Sequence, residues 1–374
     1  MGIEKQLSVI DFTLSSLLRR KGKNISLMLV YTVLVFLLAS VMLFTYALRR
    51  EAVLVLKDAP DLIVQRMTAG RHDLVPADYA RKIGAIRGVQ SARGRLWGYY
   101  YDPSVGANYT FLVPPDGGYG NGEITVGQTL SRARSAYPGD TLPFRAYDGK
   151  PYPFTIRNLL SPESELASSD LVLIGEQDFR TFFHMPSGYT DISVQVPNAK
   201  EVQTVAGKIA ALYPDTRPIT KREILRTYET IFDWRSGLLI VLFSGAVLAF
   251  AIFAWDKASG LSAEEKKEIG VLKAIGWETQ DVLLMKFWEG MVLSLTSFLV
   301  GVVLAYVHVF FTRFVLFEPV LKGWSTIYPA FRLVPFISAY QVSALFFLTV
   351  VPYTVATVIP SWRAATIDPD TAMR

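Results

Sequence analysis

Four runs of uncharged, mostly apolar residues set the plan of this chain: Ile25–Leu48, Ser236–Ala254, Met291–Val309 and Tyr340–Ile359. A helix crossing a hydrocarbon core of roughly 30 Å needs about 20 such residues. Backbone in lipid must satisfy its own hydrogen bonds, so each run is predicted to be a helix. One span thus precedes a polar segment, residues 49–235, and three spans follow it. The first run is longer than the apolar core of a signal peptide and no small-residue cleavage pattern follows it, so it reads as a retained span. Four spans put both termini on one face, and Arg19, Arg20, Lys21 and Lys23 before the first favour the cytoplasmic face. Arg49, Arg50 and Lys57 after it weaken that vote.

The polar segments have their own periodicities. Residues 1–24 place Ile3, Leu7, Ile10, Leu14 and Leu17 at helical spacing, predicting an amphipathic helix in the headgroup layer. Within 49–235, strands are predicted at 62–66, 89–101, 191–196 and 217–220, with helices at 76–86 and 199–212. These form two β-α-β halves around an insertion, about 105–188, rich in Pro-Gly and Asp-Gly turns. The fold class expected is a four-helix membrane domain plus an α/β extracytoplasmic domain, a split β-α-β core with a β-rich insertion. A helix at 222–234 continues as a stalk into the span at 236–254; 310–339 is an external loop and 360–374 a cytoplasmic tail.

Composition narrows the chemistry. The chain has no cysteine, which excludes disulfides and thiolate metal sites, and only His72, His184 and His308, which disfavours a histidine-built metal centre. A net charge of +5 follows the membrane flanks, so nucleic acid is a poor partner. The predicted spans hold no Asp, Glu, Lys or Arg, and a proton or ion relay is unsupported. Gly122 and Gly127 have P-loop spacing, but Gln128 stands where the phosphate-binding lysine belongs, so no nucleotide or other cofactor is expected on this chain.

The most informative polar stretch lies in the segment 255–290. Ser262 and Glu265 form a capping box, Ile269, Leu272 and Ile275 give one apolar side, and Gly276 is placed to stop the helix. On its own this reads either as a loop helix covering membrane surface or as a docking element.

The run Glu268-Ile-Gly-Val-Leu-Lys-Ala-Ile-Gly276-Trp277 resembles the cytoplasmic signature of FtsX/MacB-type permeases, the type VII ABC transporter membrane subunits. Pro360-Ser-Trp-Arg-Ala-Ala365, Asp368-Pro-Asp-Thr-Ala-Met-Arg374 and Leu17-Leu-Arg-Arg-Lys-Gly-Lys23 resemble the family's C-terminal and N-terminal flanks, with Asp370 and Met373 replacing commoner residues. Gly122–Gly127 followed by Pro138-Gly-Asp-Thr141 is similar to its outer-domain pattern. The resemblance implies a non-catalytic subunit in the bacterial inner membrane, paired with a second permease subunit and two copies of a separate ABC ATPase that binds ATP and Mg. It implies that ATP-driven motion passes through the cytoplasmic helix to a periplasmic domain engaging a client or an adaptor. Glu265, Glu268, Ile269, Leu272, Lys273, Ile275 and Gly276 are then the residues expected at the ATPase contact. The alternatives are a regulator of cell-envelope enzymes in the same family, or a signalling receptor.

Overall fold

The computed structural model describes residues 3–55, 59–161, 168–227, 263–316 and 333–365, with single positions between 230 and 255 and at 318, 319 and 327. Most of the run at 236–254, Ser262 and residues 366–374 lie outside the described residues. The chain divides into two compact units. One comprises residues 1–48, 232–315 and 333–374; the other comprises 49–231 and 316–332.

In the first unit, helix α1 (Ile3–Arg19) is followed after one residue by α2 (Lys21–Val55). Three helices among the described residues are long and apolar enough to cross a membrane: Lys21–Glu51 within α2, Thr279–Phe310 and Ala339–Val358. Small residues let these helices approach closely. A Cβ on Gly301 would lie 2.7 Å from Val35, and one on Gly290 would lie 2.6 Å from the Thr357 hydroxyl. Ser297 donates to the Met28 carbonyl at 3.2 Å. His308 is buried against Phe36, their rings edge-on at 5.3 Å, a packing position rather than an exposed one.

The second unit holds two sheets. The first contains β1 (Leu62–Thr68), β2 (Arg71–Asp73), β3 (Ser91–Arg95), β10 (Asp191–Gln195) and β11 (Thr216–Thr220), in the order β11-β1-β10-β3 with β2 paired to β1. Strands from the start and end of the segment therefore alternate across it, all antiparallel. Helices α3 (Ala77–Gly84) and α6 (Val202–Leu212) cross between strands and bury Ile83, Val205 and Ile209 against Leu62, Val64, Ile192 and Val194.

The second sheet runs β4-β5-β9-β6-β8-β7. Its strands are β4 (Trp97–Asp102), β5 (Ala107–Leu112), β6 (Glu123–Val126), β7 (Thr141–Arg145), β8 (Pro151–Leu159) and β9 (Leu171–Ile174). Its core is aromatic: Tyr109, Phe111, Phe144, Phe179 and Phe182 are fully buried, contributed in part by α5 (Glu176–Phe182). Alternating exposure along β7 and β8, with Leu142, Phe144, Phe154 and Ile156 inward, reflects the two-residue period of a strand with one wet face.

The single strand expected at 89–101 is two strands in two different sheets. The chain turns at Leu96, which sinks into the aromatic core, so the insertion begins at Trp97 rather than near 105. Asp191 fixes that corner. It is 1% exposed and accepts from Arg95 Nε at 2.6 Å, Arg95 Nη2 at 2.7 Å and Trp97 Nε1 at 2.8 Å. Removing one partner of a buried, hydrogen-bonded charge pair is strongly destabilising. Asp191→Ala is expected to cost about 3–5 kcal/mol, measured as a lowered thermal midpoint of the purified protein, whereas Ser193→Ala on the same strand, which loses one 3.2 Å bond to the Arg93 carbonyl, should cost about 1 kcal/mol.

Candidate functional site

The stretch singled out in the sequence folds as helix α7 (Ala263–Ala274), followed by α8 (Thr279–Phe310) and, later, α9 (Ala339–Ala365). Its expected cap at Ser262 lies outside the described residues, as does the Glu265 side chain. Its end is fully visible. Trp277 N donates to Leu272 O at 3.0 Å and Gly276 N to Lys273 O at 3.1 Å, the paired bonds of a Schellman stop. Gly276 sits at φ 101°, a left-handed conformation that side chains with a Cβ resist. A Cβ there would touch nothing within 4 Å. Gly276→Val is thus penalised by backbone strain and not by a clash, at about 1–2 kcal/mol. Gly276→Asn should recover most of the loss, which parallel thermal melts of the two variants will read.

The apolar side of α7 is not free for a partner as a whole. Leu272, 5% exposed, packs with Val9 of α1 and Met285 of α8, flanked by Phe12, Leu284, Trp277 and Trp288. Phe12 and Trp277 rings lie 5.2 Å apart. Ile269, 4% exposed, packs on Val282. These two residues, expected at the ATPase contact, instead anchor α7 to its own chain, because α1 and α8 both run against it. Ile275 faces outward at 69% exposure, and Lys273 is half-buried. Glu268 accepts from Arg20 Nη2 at 2.7 Å and Arg19 Nη2 at 3.2 Å.

What α7 and its last turn present is Lys267, Val271, Ala274 and Ile275, all exposed. Their spacing of four, three and one places them on one helical face, and Glu278, also exposed, caps the start of α8 beyond the stop. Val271 and Ala274 were missed because the second half of this helix is apolar nearly all round. Periodicity alone cannot say which apolar stripe is used internally. On α1, Val9 and Thr13 are buried; of the expected stripe, Leu7 and Leu14 are exposed and Ile10 and Leu17 half-buried, and the exposed Leu18 joins Leu7 and Leu14.

Of the glycine pair with P-loop spacing, Gly122 precedes β6 and Gly127 joins β6 to α4 (Gln128–Arg134). A Cβ on Gly127 would lie 2.0 Å from the Ser168 carbonyl, and Leu130 N donates to Ser169 O at 3.3 Å. Among the described residues, no group of three or more His, Asp or Glu side chains is arranged to hold a metal ion.

Two solved structures show a distant likeness. The periplasmic region of MacB from Actinobacillus actinomycetemcomitans matches at 12% identity and TM-score 0.33, covering 45% of this chain and 92% of that one. The extracellular domain of the noncanonic ABC-type transporter YknZ from Gram-positive bacteria matches at 12% identity and TM-score 0.31, covering 42% and 99%. No curated protein matches the chain. The family model described as FtsX-like permease C-terminal matches residues 236–369, which include α7, α8 and α9. Over that segment the chain is similar to FtsX-like permeases.

Proposed function

We propose that this protein is the membrane subunit of an ABC transporter, a four-span permease that carries no catalytic site. It couples ATP hydrolysis on a separate ATPase, two copies of which bind ATP and Mg, to movement of an extracytoplasmic domain. The observation that carries this reading is α7: a capped helix inside the matched permease segment, anchored through Ile269 and Leu272 and offering Val271, Ala274 and Ile275 outward. A rigidly seated helix with a small apolar outward face can receive a push and pass it on. The docking set is accordingly Val271, Ala274, Ile275 and the turn at Gly276, with Lys267, Lys273 and Glu278 as rim charges that set orientation more than affinity. Glu268 keeps the helix placed.

The rest of the assembly follows in the same terms. A second permease subunit, most simply a second copy, completes the membrane wall, and the exposed Leu7-Leu14-Leu18 stripe of α1 lies in the lipid headgroup layer. Both termini are cytoplasmic, and the α/β domain with its split β-α-β core and insertion meets a client or adaptor outside the cytoplasmic membrane. Two ATPase subunits are expected to co-purify with the permease from cells expressing the neighbouring genes, and recovery of the intact permease with no ATP-hydrolysing partner under mild extraction would contradict this function.

A further inference from the structure

The residue between α1 and α2 is Arg20 alone, so the N-terminal helix and the first span meet at a one-residue corner. The corner is fixed from within: Asn24 Nδ2 donates to Leu17 O at 3.0 Å, and Asn24 N to Arg20 O at 3.2 Å. Glu268 of α7 reaches that corner. Its two carboxylate oxygens each take one guanidinium, Oε2 from Arg20 and Oε1 from Arg19. The Glu268 side chain is 24% exposed and Arg20 23%, so this pair is partly shielded from water, while Arg19 is 63% exposed. Farther along α1 the contact is apolar, with Val9 and Phe12 against Leu272 and Trp277. The helix pair is therefore held at two points, one greasy and one ionic, and the ionic one is at the root of the first span.

We infer that Glu268 is a positioning residue that clamps α7 to the Arg19-Arg20 corner, so that displacement of α7 is delivered through that corner to the start of α2. The functional half of this inference rests on the coupling role proposed for α7; the clamp itself does not. It removes Glu268 from the set of partner-touching residues and gives the two arginines a mechanical task besides their vote in membrane orientation. Because α2 is one unbroken helix from Lys21 to Val55, a rotation imposed at Lys21 is carried along its length. The apolar contact alone would let α1 rock about Phe12; the carboxylate between two guanidiniums stops that rocking.

The test uses the full chain in nanodiscs without any ATPase, with spin labels on Ser15 of α1 and Ala274 of α7, both exposed positions. Wild type should give one narrow distance. Glu268→Arg, which places three guanidiniums together, should broaden it and lower the population at the wild-type distance roughly fivefold, the size expected when a partly screened ion pair is lost. Adding Arg20→Glu to Glu268→Arg should restore the narrow distance. An unchanged distance in Glu268→Arg, or no recovery in the double variant, overturns the clamp. If Glu268→Arg does not reach the membrane, Glu268→Gln takes its place, and an unchanged distance there overturns it equally. With the ATPase then added to unlabelled protein, Glu268→Arg should retain the partner and lose ATP-dependent movement of the outer domain. Loss of the partner with the distance unaltered would instead make Glu268 a contact residue. A distance result as predicted with no ATPase bound even by wild type would leave the clamp standing and sink the ABC reading.

Discussion

Leu272→Asp is expected to dismantle the packing of α7 on α1 and α8, and not merely to weaken a docking surface. Leu272 is 5% exposed and sits among Val9, Met285, Phe12, Leu284, Trp277 and Trp288. Truncating such a leucine costs about 2–5 kcal/mol through lost burial and the cavity left behind. A carboxylate buried in that apolar cluster adds a desolvation penalty. The protein should lose its cooperative thermal transition, or melt well below wild type, before any partner is added. Leu272→Met, which keeps volume and polarity, should stay within about 1.5 kcal/mol of wild type. A Leu272→Asp protein that melts like wild type would show that this helix is not seated as described.

Gly127→Val should be strongly destabilising in the unit that holds the two sheets. The β-carbon would meet the Ser168 carbonyl oxygen at 2.0 Å and the Ser169 oxygen at 2.7 Å. Both are backbone atoms, which cannot rotate out of the way as a flexible side chain can. The segment carrying them is tied down, since Leu130 N donates to Ser169 O at 3.3 Å. Overpacking at a site this closed forces backbone shifts costing about 3 kcal/mol. Gly122 in the same motif is a control of a different kind: it lies at φ 77° with open space around it, so Gly122→Asn should be mild. Limited proteolysis of the β6–α4 region, with melts of both variants, separates the two mechanisms. Equal behaviour of Gly127→Val and Gly122→Asn would refute the close-approach role of Gly127.

Much of the architecture was legible because burial is written into periodicity. The apolar run at 25–48 lies inside a helix that crosses a membrane by length, and β1, β10, β11, α3 and α6 fall where the alternating and helical patterns place them. The break at Leu96 was not legible. Residues 89–101 alternate as one strand would, and only the three-dimensional pull of Leu96 into one core and of Asp191 onto both Arg95 and Trp97 divides them. The candidate site was half legible for a related reason. Gly276 could be read as a stop because a left-handed cap is a local property. The use of Ile269 and Leu272 could not, since it depends on Val9 and Val282, which are distant in sequence and pack onto a helix with two apolar stripes. The fate of Glu268 is another long-range event, set by arginines that sequence reading had credited only with membrane orientation.

The central claim is that α7 meets an ATPase through its outward face. Ile275, 69% exposed, contributes little to the fold, so Ile275→Asp should leave the melting transition and membrane level as in wild type. At a docked interface the same change buries an unpaired charge against an apolar groove and should reduce the ATPase recovered per permease by roughly a hundredfold, the equivalent of about 3 kcal/mol. The deciding measurement is the ATPase-to-permease ratio after mild extraction, for Ile275→Asp beside wild type. A ratio reduced by that order, with the melt unchanged, is the predicted result, and an unchanged ratio would contradict the account.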